Sequence, residues 1–226
     1  MAKRQQIFSS FIFYRLHDGF RRLSPNEQMT AKQDFENIIS AHQERVFLRT
    51  YMTAGLSSES DLMIWRMSIR ISRLQELSAS ALKTGLGTWL LPVEEYLGIL
   101  SFETSGPIGN AEQEANFIFG RFPYMMLDPV KKNDDWYLLK ENEKAGLLLE
   151  RNKILKKYRN VTENIFSSYG LDRQDFIIQR EAEAASDLEA VTSELRLLKN
   201  KEHTVSDSHS LFCIGRDLTE ILDYLA

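Results

Sequence analysis

The chain has 226 residues, 43% of them hydrophobic and 27% charged, which is enough for one large domain or two of about 100 residues. Its net charge of −4 excludes the strongly basic surface on which nucleic-acid binding depends, so we expect no nucleic-acid partner. The single cysteine, Cys213, excludes an internal disulfide and a cysteine-based zinc site. No two histidines stand at a metal-ligand spacing, so we expect no metal site.

No apolar run approaches the length of a membrane span. The run at residues 7–14 is too short for an export segment, and no small-residue cleavage site follows it. The sequence therefore predicts a cytoplasmic protein without a membrane partner.

The first part of the chain, residues 1–103, predicts strands and helices in the order βαββαβ. Its first helix begins with a capping box, in which Ser24 is the N-cap, Pro25 the first helical residue and Glu27 the third. Apolar residues at helical spacing mark the second helix at Ile71, Leu74, Leu77 and Ala81. The predicted strands are residues 7–16, 46–53, 61–69 and 93–101.

Residues 104–120 are rich in glycine, proline and polar side chains and predict a linker. The same order of elements then returns in residues 121–226. The predicted strands of this part are residues 124–127, 161–169, 175–181 and a last strand that begins at residue 210. The predicted helices are residues 141–158 and a segment marked by Leu188, Val191, Leu195 and Leu198.

The two parts also repeat at the level of residues. Gly55-Leu56 followed by Asp61 in the first part is echoed by Gly170-Leu171 followed by Asp175 in the second. Two βαββαβ units are two ferredoxin-like halves. The sequence thus predicts an α+β fold of duplicated ferredoxin-like units that form a dimeric α+β barrel, with halves at 1–103 and 121–226.

The helix predicted at residues 141–158 carries a charge on its apolar face. Leu148, Arg151, Leu155 and Tyr158 recur at spacings of three, four and three, which places them on one side of a helix. A guanidinium buried without partners costs several kcal/mol, so Arg151 requires nearby anions or an exit to water.

Several short motifs resemble the chlorite dismutase family, which includes chlorite dismutases and coprohaem decarboxylases. The matching residues are Pro129, Lys132, Asp135-Trp136-Tyr137, Leu139, Leu148-Leu149-Glu150, Val161-Thr162, Gly170-Leu171-Asp172 and, in the first half, Met63-Ile64-Trp65. The resemblance implies a haem-binding C-terminal half and a homo-oligomeric ring, often a pentamer. It also implies chlorite breakdown, peroxidase-like turnover or oxidative decarboxylation.

The sequence departs from the family at the positions that carry the chemistry. Where the resemblance places the proximal haem-ligating histidine, the chain has Arg151, and a guanidinium offers iron no lone pair. Asp128 stands at the reactive tyrosine of the decarboxylases, and Glu163 at the distal Arg or Gln. These two are the candidate catalytic positions. Arg151, Lys132, Trp136 and Tyr137 are the candidate cofactor-binding residues, although the two aromatic residues also suit ordinary core packing.

These departures suggest one hypothesis for the pocket and three for the function. Asp128 and Glu163 are the anions that a buried Arg151 requires, so the three side chains are expected to form an ionic cluster where haem would sit. The leading hypothesis is a degenerate family member that has lost its haem ligand. The alternatives are a haem-dependent oxidoreductase with non-standard ligation, and a non-haem enzyme or binding protein that takes a small molecule in the same pocket.

Overall fold

The structure is a computed structural model that describes residues 3–104, 119–205 and 209–225. The chain divides into two compact units. The first contains the residues up to Arg121 together with the C-terminal segment from Cys213, and the second runs from Phe122 to Phe212. Most of the predicted linker, residues 105–118, lies outside the described residues.

The first unit is a four-stranded antiparallel sheet with the strand order β4-β1-β3-β2 and helices α1 and α2. The C-terminal segment adds two residues of β8, which pair with β2, and helix α6. The elements are β1 Lys3–Leu16, α1 Pro25–His42, β2 Phe47–Met52, β3 Leu62–Ser68, α2 Ile71–Ala81, β4 Leu90–Thr104, β8 Leu211–Gly215 and α6 Leu218–Leu225.

The second unit is an antiparallel sheet with the order β5-β7-β6, covered by three helices. Its elements are β5 Tyr124–Val130, α3 Asp134–Leu138, α4 Glu141–Leu155, β6 Val161–Ser167, β7 Phe176–Ala182 and α5 Ala185–Leu195. In chain order the elements run βαββαβ twice, with the pair α3 and α4 as the first helical part of the second run and β8 as its last strand, which confirms the predicted α+β ferredoxin-like fold. Helices α3 and α6 lie outside the predicted elements.

The duplication is visible in a turn that both units contain. Gly55 and Gly170 have φ angles of 79° and 78°, a left-handed conformation that glycine adopts without steric cost. In each unit the turn ends at an aspartate whose carboxylate accepts a backbone N–H from the end of the unit's first strand or from the segment just after it. Leu16 N of β1 donates to Asp61 at 2.8 Å, and Lys132 N, two residues after β5, donates to Asp175 at 2.6 Å. The repeat seen in the sequence is therefore a repeat of hydrogen bonds from a backbone N–H to an aspartate carboxylate.

The capping box predicted at the start of α1 forms as expected. The Glu27 backbone N–H donates to the Ser24 side chain at 3.4 Å, and the Ser24 backbone N–H donates to the Glu27 carboxylate at 2.8 Å. The space between helices and sheet in this unit is filled by apolar side chains, among them Ile12, Leu48 and Ile64. The first unit therefore has a closed hydrophobic core.

Candidate functional site

A chain of ion pairs lies between the sheet and the helices of the second unit. The Arg151 guanidinium on α4 donates to both carboxylate oxygens of Glu163 on β6, with Nε to Oε1 at 2.6 Å. Arg180 on β7 donates from Nε to Glu163 Oε2 at 2.7 Å and also donates to Asp128 on β5. The order of partners is thus Arg151, Glu163, Arg180, Asp128.

The strand register explains why three of these residues meet. Glu163 stands directly opposite Arg180 in the β6–β7 ladder. Asp128 pairs with Ile178, two residues from Arg180 on the same strand and therefore on the same face of the sheet. Arg151 comes from α4 above this face. The predicted cluster of Asp128, Arg151 and Glu163 is present, with Arg180 as the link between its two carboxylates.

The cluster is buried and balanced in charge. The side chains of Arg151, Glu163 and Arg180 are exposed by 7%, 5% and 4%. Burial lowers the pKa of Arg180, but the charges of Asp128 and Glu163 outweigh it and leave that pKa raised. Two guanidinium groups and two carboxylates offset one another, as buried charges require. One acceptor, Oδ1 of Asp128, is buried without a hydrogen-bond partner among the described residues.

Arg180 is the member of the cluster that the sequence did not reveal. Its equivalent in the first unit, by the same register, is Arg66, which is also buried and lies opposite Ser10 and Leu48. Arg66 donates to the hydroxyls of Ser10, at 2.8 Å, and Ser78, and it lies 3.8 Å from the exposed carboxylate of Glu95, in place of the two carboxylates that bind Arg180. The repeat, extended along β3 and β7, is the signal that points to Arg180.

The register also shows how the second unit differs from the first. The positions equivalent to Asp128 and Glu163 are Ile12 and Leu48, both in the apolar core of the first unit. Replacing two buried aliphatic side chains by carboxylates is costly unless cations accompany them. The charged cluster is therefore a feature of the second unit and does not belong to the repeated scaffold.

A cavity of about 170 Å³ adjoins the cluster. Its lining includes the buried Arg151 and Arg180. Two further cations of the lining, Arg196 and Lys201, are exposed and form its rim. Its remaining lining residues are Asp128, Val130, Lys132, Ile178, Thr192, Leu195, Thr204 and Ser210. The described lining thus holds five cationic side chains and one carboxylate.

Lys132 lies at the junction of this cavity and a smaller, apolar one of about 50 Å³. Its Nζ lies 4.4 Å from the centre of the Trp136 ring and donates to Thr204 Oγ1 at 3.1 Å. Burial and the neighbouring Arg151 lower the pKa of Lys132 to about 8, against an opposing effect of Asp175. Lys132 therefore changes its charge close to neutral pH, which an ordinary surface lysine does not do.

The predicted apolar face of α4 is only partly correct. Arg151 is the buried residue of this helix and Leu155 is half-buried, whereas Leu148, also on the predicted face, is 42% exposed. The small cavity explains the difference, because it is lined by Leu148 and Arg151 from the helix and by Ile165 and Ile178 from the sheet. A space therefore lies between part of this helix and the sheet, and the ion pair of Arg151 with Glu163 joins the two.

The two predicted aromatic cofactor contacts occupy different environments. Trp136 is buried against Lys132 and lines the small cavity. Tyr137 is 43% exposed and packs its ring at 5.4 Å from that of Tyr169, and it lines neither cavity. Trp136 thus lines the small cavity, whereas Tyr137 lies outside the linings of both cavities.

The described residues contain no group of three or more His, Cys, Asp or Glu side chains that is placed to hold a metal ion. Cys213 is fully buried, and burial raises the pKa of its thiol, which makes it an unreactive core residue. Within the same ranges, no helix has both the length and the hydropathy to cross a membrane.

Comparison with known proteins assigns the family. The chlorite dismutase family profile matches residues 28–217. A chlorite dismutase of Ideonella dechloratans is 23% identical over 178 residues, 76% of this chain, and a coproheme decarboxylase of Mycolicibacterium smegmatis is 25% identical over 157 residues, 68% of it. The chain spans 62% and 66% of the lengths of these two relatives.

Solved structures show the same fold. Chlorite dismutase from Candidatus Nitrospira defluvii, in complex with imidazole, superposes with a TM-score of 0.84 at 22% identity, covering 96% of this chain and 94% of that one. A haem-binding protein from Thermus thermophilus superposes with a TM-score of 0.82 at 14% identity, covering 100% and 97% of the two chains. With a family profile that matches most of its length, the chain belongs to the chlorite dismutase family.

Proposed function

We propose that this member of the family does not hold haem through an axial bond and instead uses the pocket of its second unit to bind a small molecule. The observation that carries the proposal is the burial of Arg151 against both oxygens of Glu163. By the resemblance, Arg151 occupies the place of the proximal histidine. A guanidinium stays protonated and has no free lone pair, so it gives iron no bond.

The pocket residues do not fit a haem group. Haem iron is held in proteins by His, Cys, Met or Tyr, and none of these is among the described residues that line the two cavities. The cavities measure about 170 and 50 Å³. Ligand pockets of drug-sized molecules occupy roughly 300–1,000 Å³. A porphyrin would fit only if the pocket opened, and opening it would break the buried ion pairs of Glu163 with Arg151 and Arg180.

The same geometry argues against the parent reactions. The two oxygens of Glu163 are taken by Arg151 and Arg180, so this carboxylate is a partner for cations and is not poised to move a proton. Asp128 is held by Arg180 through one oxygen. We therefore assign to Asp128 and Glu163 the role of holding the two arginines, and we propose no oxidoreductase step at this site.

A haem titration read by absorbance tests the proposal. We expect the native protein to give no sharp, stoichiometric Soret shift. Arg151→His supplies a ligand, and Arg151→Gln is its matched control, because it also removes the guanidinium but offers iron nothing. If Arg151→His gives the Soret shift and the native protein and Arg151→Gln do not, the result supports a fold that could take haem and lacks only the axial ligand. One tightly bound haem per native chain would overturn the proposal and favour a haem oxidoreductase with non-standard ligation.

We also propose that the chain assembles into a homo-oligomer, as the resemblance implies. Support comes from large apolar side chains that the second unit leaves on its surface, with Leu138 81% exposed, Leu149 62% and Tyr169 68%. An interface that covers such side chains would remove apolar surface from water, which favours association. Sedimentation velocity of the native protein and of Leu149→Glu tests it. A native protein that sediments as a monomer would contradict it.

A further inference from the structure

We propose that the cavity of about 170 Å³ in the second unit is a binding site for a small oxyanion, a carboxylate or phosphate group carried on a few heavy atoms. The inference rests on the proposed function, because it requires that no macrocycle occupies the pocket. It goes further by naming the chemical class of the ligand and the residues that select it.

The charge around the cavity is the first reason. Arg151 and Arg180 are offset by Glu163 and Asp128 within the ion-pair chain. The other cations of the lining are Lys132, Arg196 and Lys201. Neither Arg196 nor Lys201 forms an ion pair with a described residue. A concave site with such an excess of cations attracts anions and raises their local concentration.

The neutral groups of the lining fit the same ligand. The lining includes Thr192, Thr204 and Ser210, and hydroxyl groups donate hydrogen bonds to oxyanion oxygens. The Thr192 hydroxyl donates to Met126 Sδ at 3.5 Å and would have to turn from this weak acceptor to the ligand. Thr204 Oγ1 already lies 3.1 Å from Lys132 Nζ, so a hydroxyl and an ammonium group converge at one end of the cavity. Apolar contacts from Val130, Ile178 and Leu195 leave room for a short carbon skeleton.

The size of the cavity limits the ligand. A volume of about 170 Å³ equals the share of roughly five or six liquid water molecules. That space suits an inorganic oxyanion or a small organic acid with one or two bound waters. The cavity is too small to enclose a whole nucleotide or a porphyrin.

Lys132 makes the site dependent on pH. The charged groups around it are Arg151 from α4, Asp175 from the turn before β7, Asp128 and Arg180 from the sheet, and Lys201 from the rim. Because the pKa of Lys132 is lowered to about 8, part of its charge is absent in mildly basic solution. An anion that binds beside it favours the protonated amine, so binding takes up protons and weakens as the pH rises past that value.

Isothermal titration calorimetry with inorganic phosphate, and separately with malonate, tests the site at constant ionic strength near pH 7 and near pH 9.5. The rim variant Arg196→Ala/Lys201→Ala is compared with Arg173→Ala/Lys153→Ala, which removes the same charges from exposed positions outside the cavity. We expect a loss of affinity of about tenfold in the rim variant and none in the control, since each lost charge-assisted contact weakens binding several-fold. We also expect weaker binding at the higher pH. Preference for phosphate or malonate identifies the source of the oxyanion.

Two outcomes would overturn the inference. One is the absence of binding heat with either probe at millimolar concentration, and the other is an equal affinity of the rim and control variants. The haem titration of the same native preparation separates this failure from failure of the proposed function. If neither haem nor anions bind, only the oxyanion site is wrong, whereas stoichiometric haem binding would remove the premise of both.

Discussion

Removing the charge of Glu163 is the sharpest perturbation of the ion-pair chain. In Glu163→Gln the shape of the side chain is retained, but Arg151 loses its carboxylate partner and Arg180 keeps only Asp128. Removing one partner of a buried ion pair lowers the free energy of unfolding by roughly 3–5 kcal/mol, because an uncompensated charge stays in the interior. Glu163 is 5% exposed, so little of this cost is recovered from water.

The assay is thermal and urea denaturation of the purified variant. A cost of roughly 3–5 kcal/mol corresponds to a fall in Tm of roughly 6–20 °C for a chain of this size. The matched control is Glu183→Gln at an exposed position, which is expected to change the free energy of unfolding by less than about 0.5 kcal/mol. A double variant, Arg151→Leu/Glu163→Leu, removes both partners and is expected to be more stable than Glu163→Gln alone.

The reasoning would be refuted if Glu163→Gln were as stable as the native protein. That result would mean that Arg151 and Arg180 reach water or other anions and that the site is not closed by these ion pairs. A double variant less stable than the single one would also refute it, because the single variant would then not carry the cost of an unpaired charge.

Two further predictions concern a titrating side chain and a pair of glycines. The pKa of Lys132 is lowered to about 8 in the folded protein, whereas its pKa in the unfolded chain is about 10.4. Between these two pH values the unfolded state binds more protons than the folded state. The free energy of unfolding, relative to that of Lys132→Met, is therefore expected to rise with pH over this range. Melting temperatures of both proteins across this range measure it, and parallel curves would contradict it. Gly170→Ala is expected to lose about 1–2 kcal/mol because Gly170 has a φ of 78°. In Gly146→Ala the new methyl group lies within α4 and in open space, so the free energy of unfolding is expected to rise by up to about 1 kcal/mol. The urea midpoints of the two glycine variants should therefore shift in opposite directions, and a shift in the same direction would contradict this expectation.

The fold was predictable because its signals are local. The capping box at Ser24, the aromatic and β-branched strands and the repeated glycine and aspartate turns each act within a few residues. Helix α6 has the same kind of signal, with Leu218, Ile221, Leu222 and Leu225 at helical spacing, but a pattern of only eight residues is too short to distinguish a helix from other apolar segments.

The site was predictable only in part. Burial of Arg151 follows from its place on an apolar stripe, and the need for carboxylate partners follows from electrostatics. Which carboxylate binds which arginine depends on the register of β5, β6 and β7, and this register brings in Arg180, a residue with no unusual sequence context. The exposure of Leu148 likewise goes with a cavity beneath α4, which no sequence pattern reveals.

The central claim is that this pocket is held by Arg151 and its partners in place of a ligated haem. It is tested most directly by the haem content of the protein purified from haem-replete cells, measured as the pyridine haemochrome per chain. The account predicts a content far below one haem per chain, with Arg151→His made in the same cells containing more. A native protein that emerges with one haem per chain would contradict it.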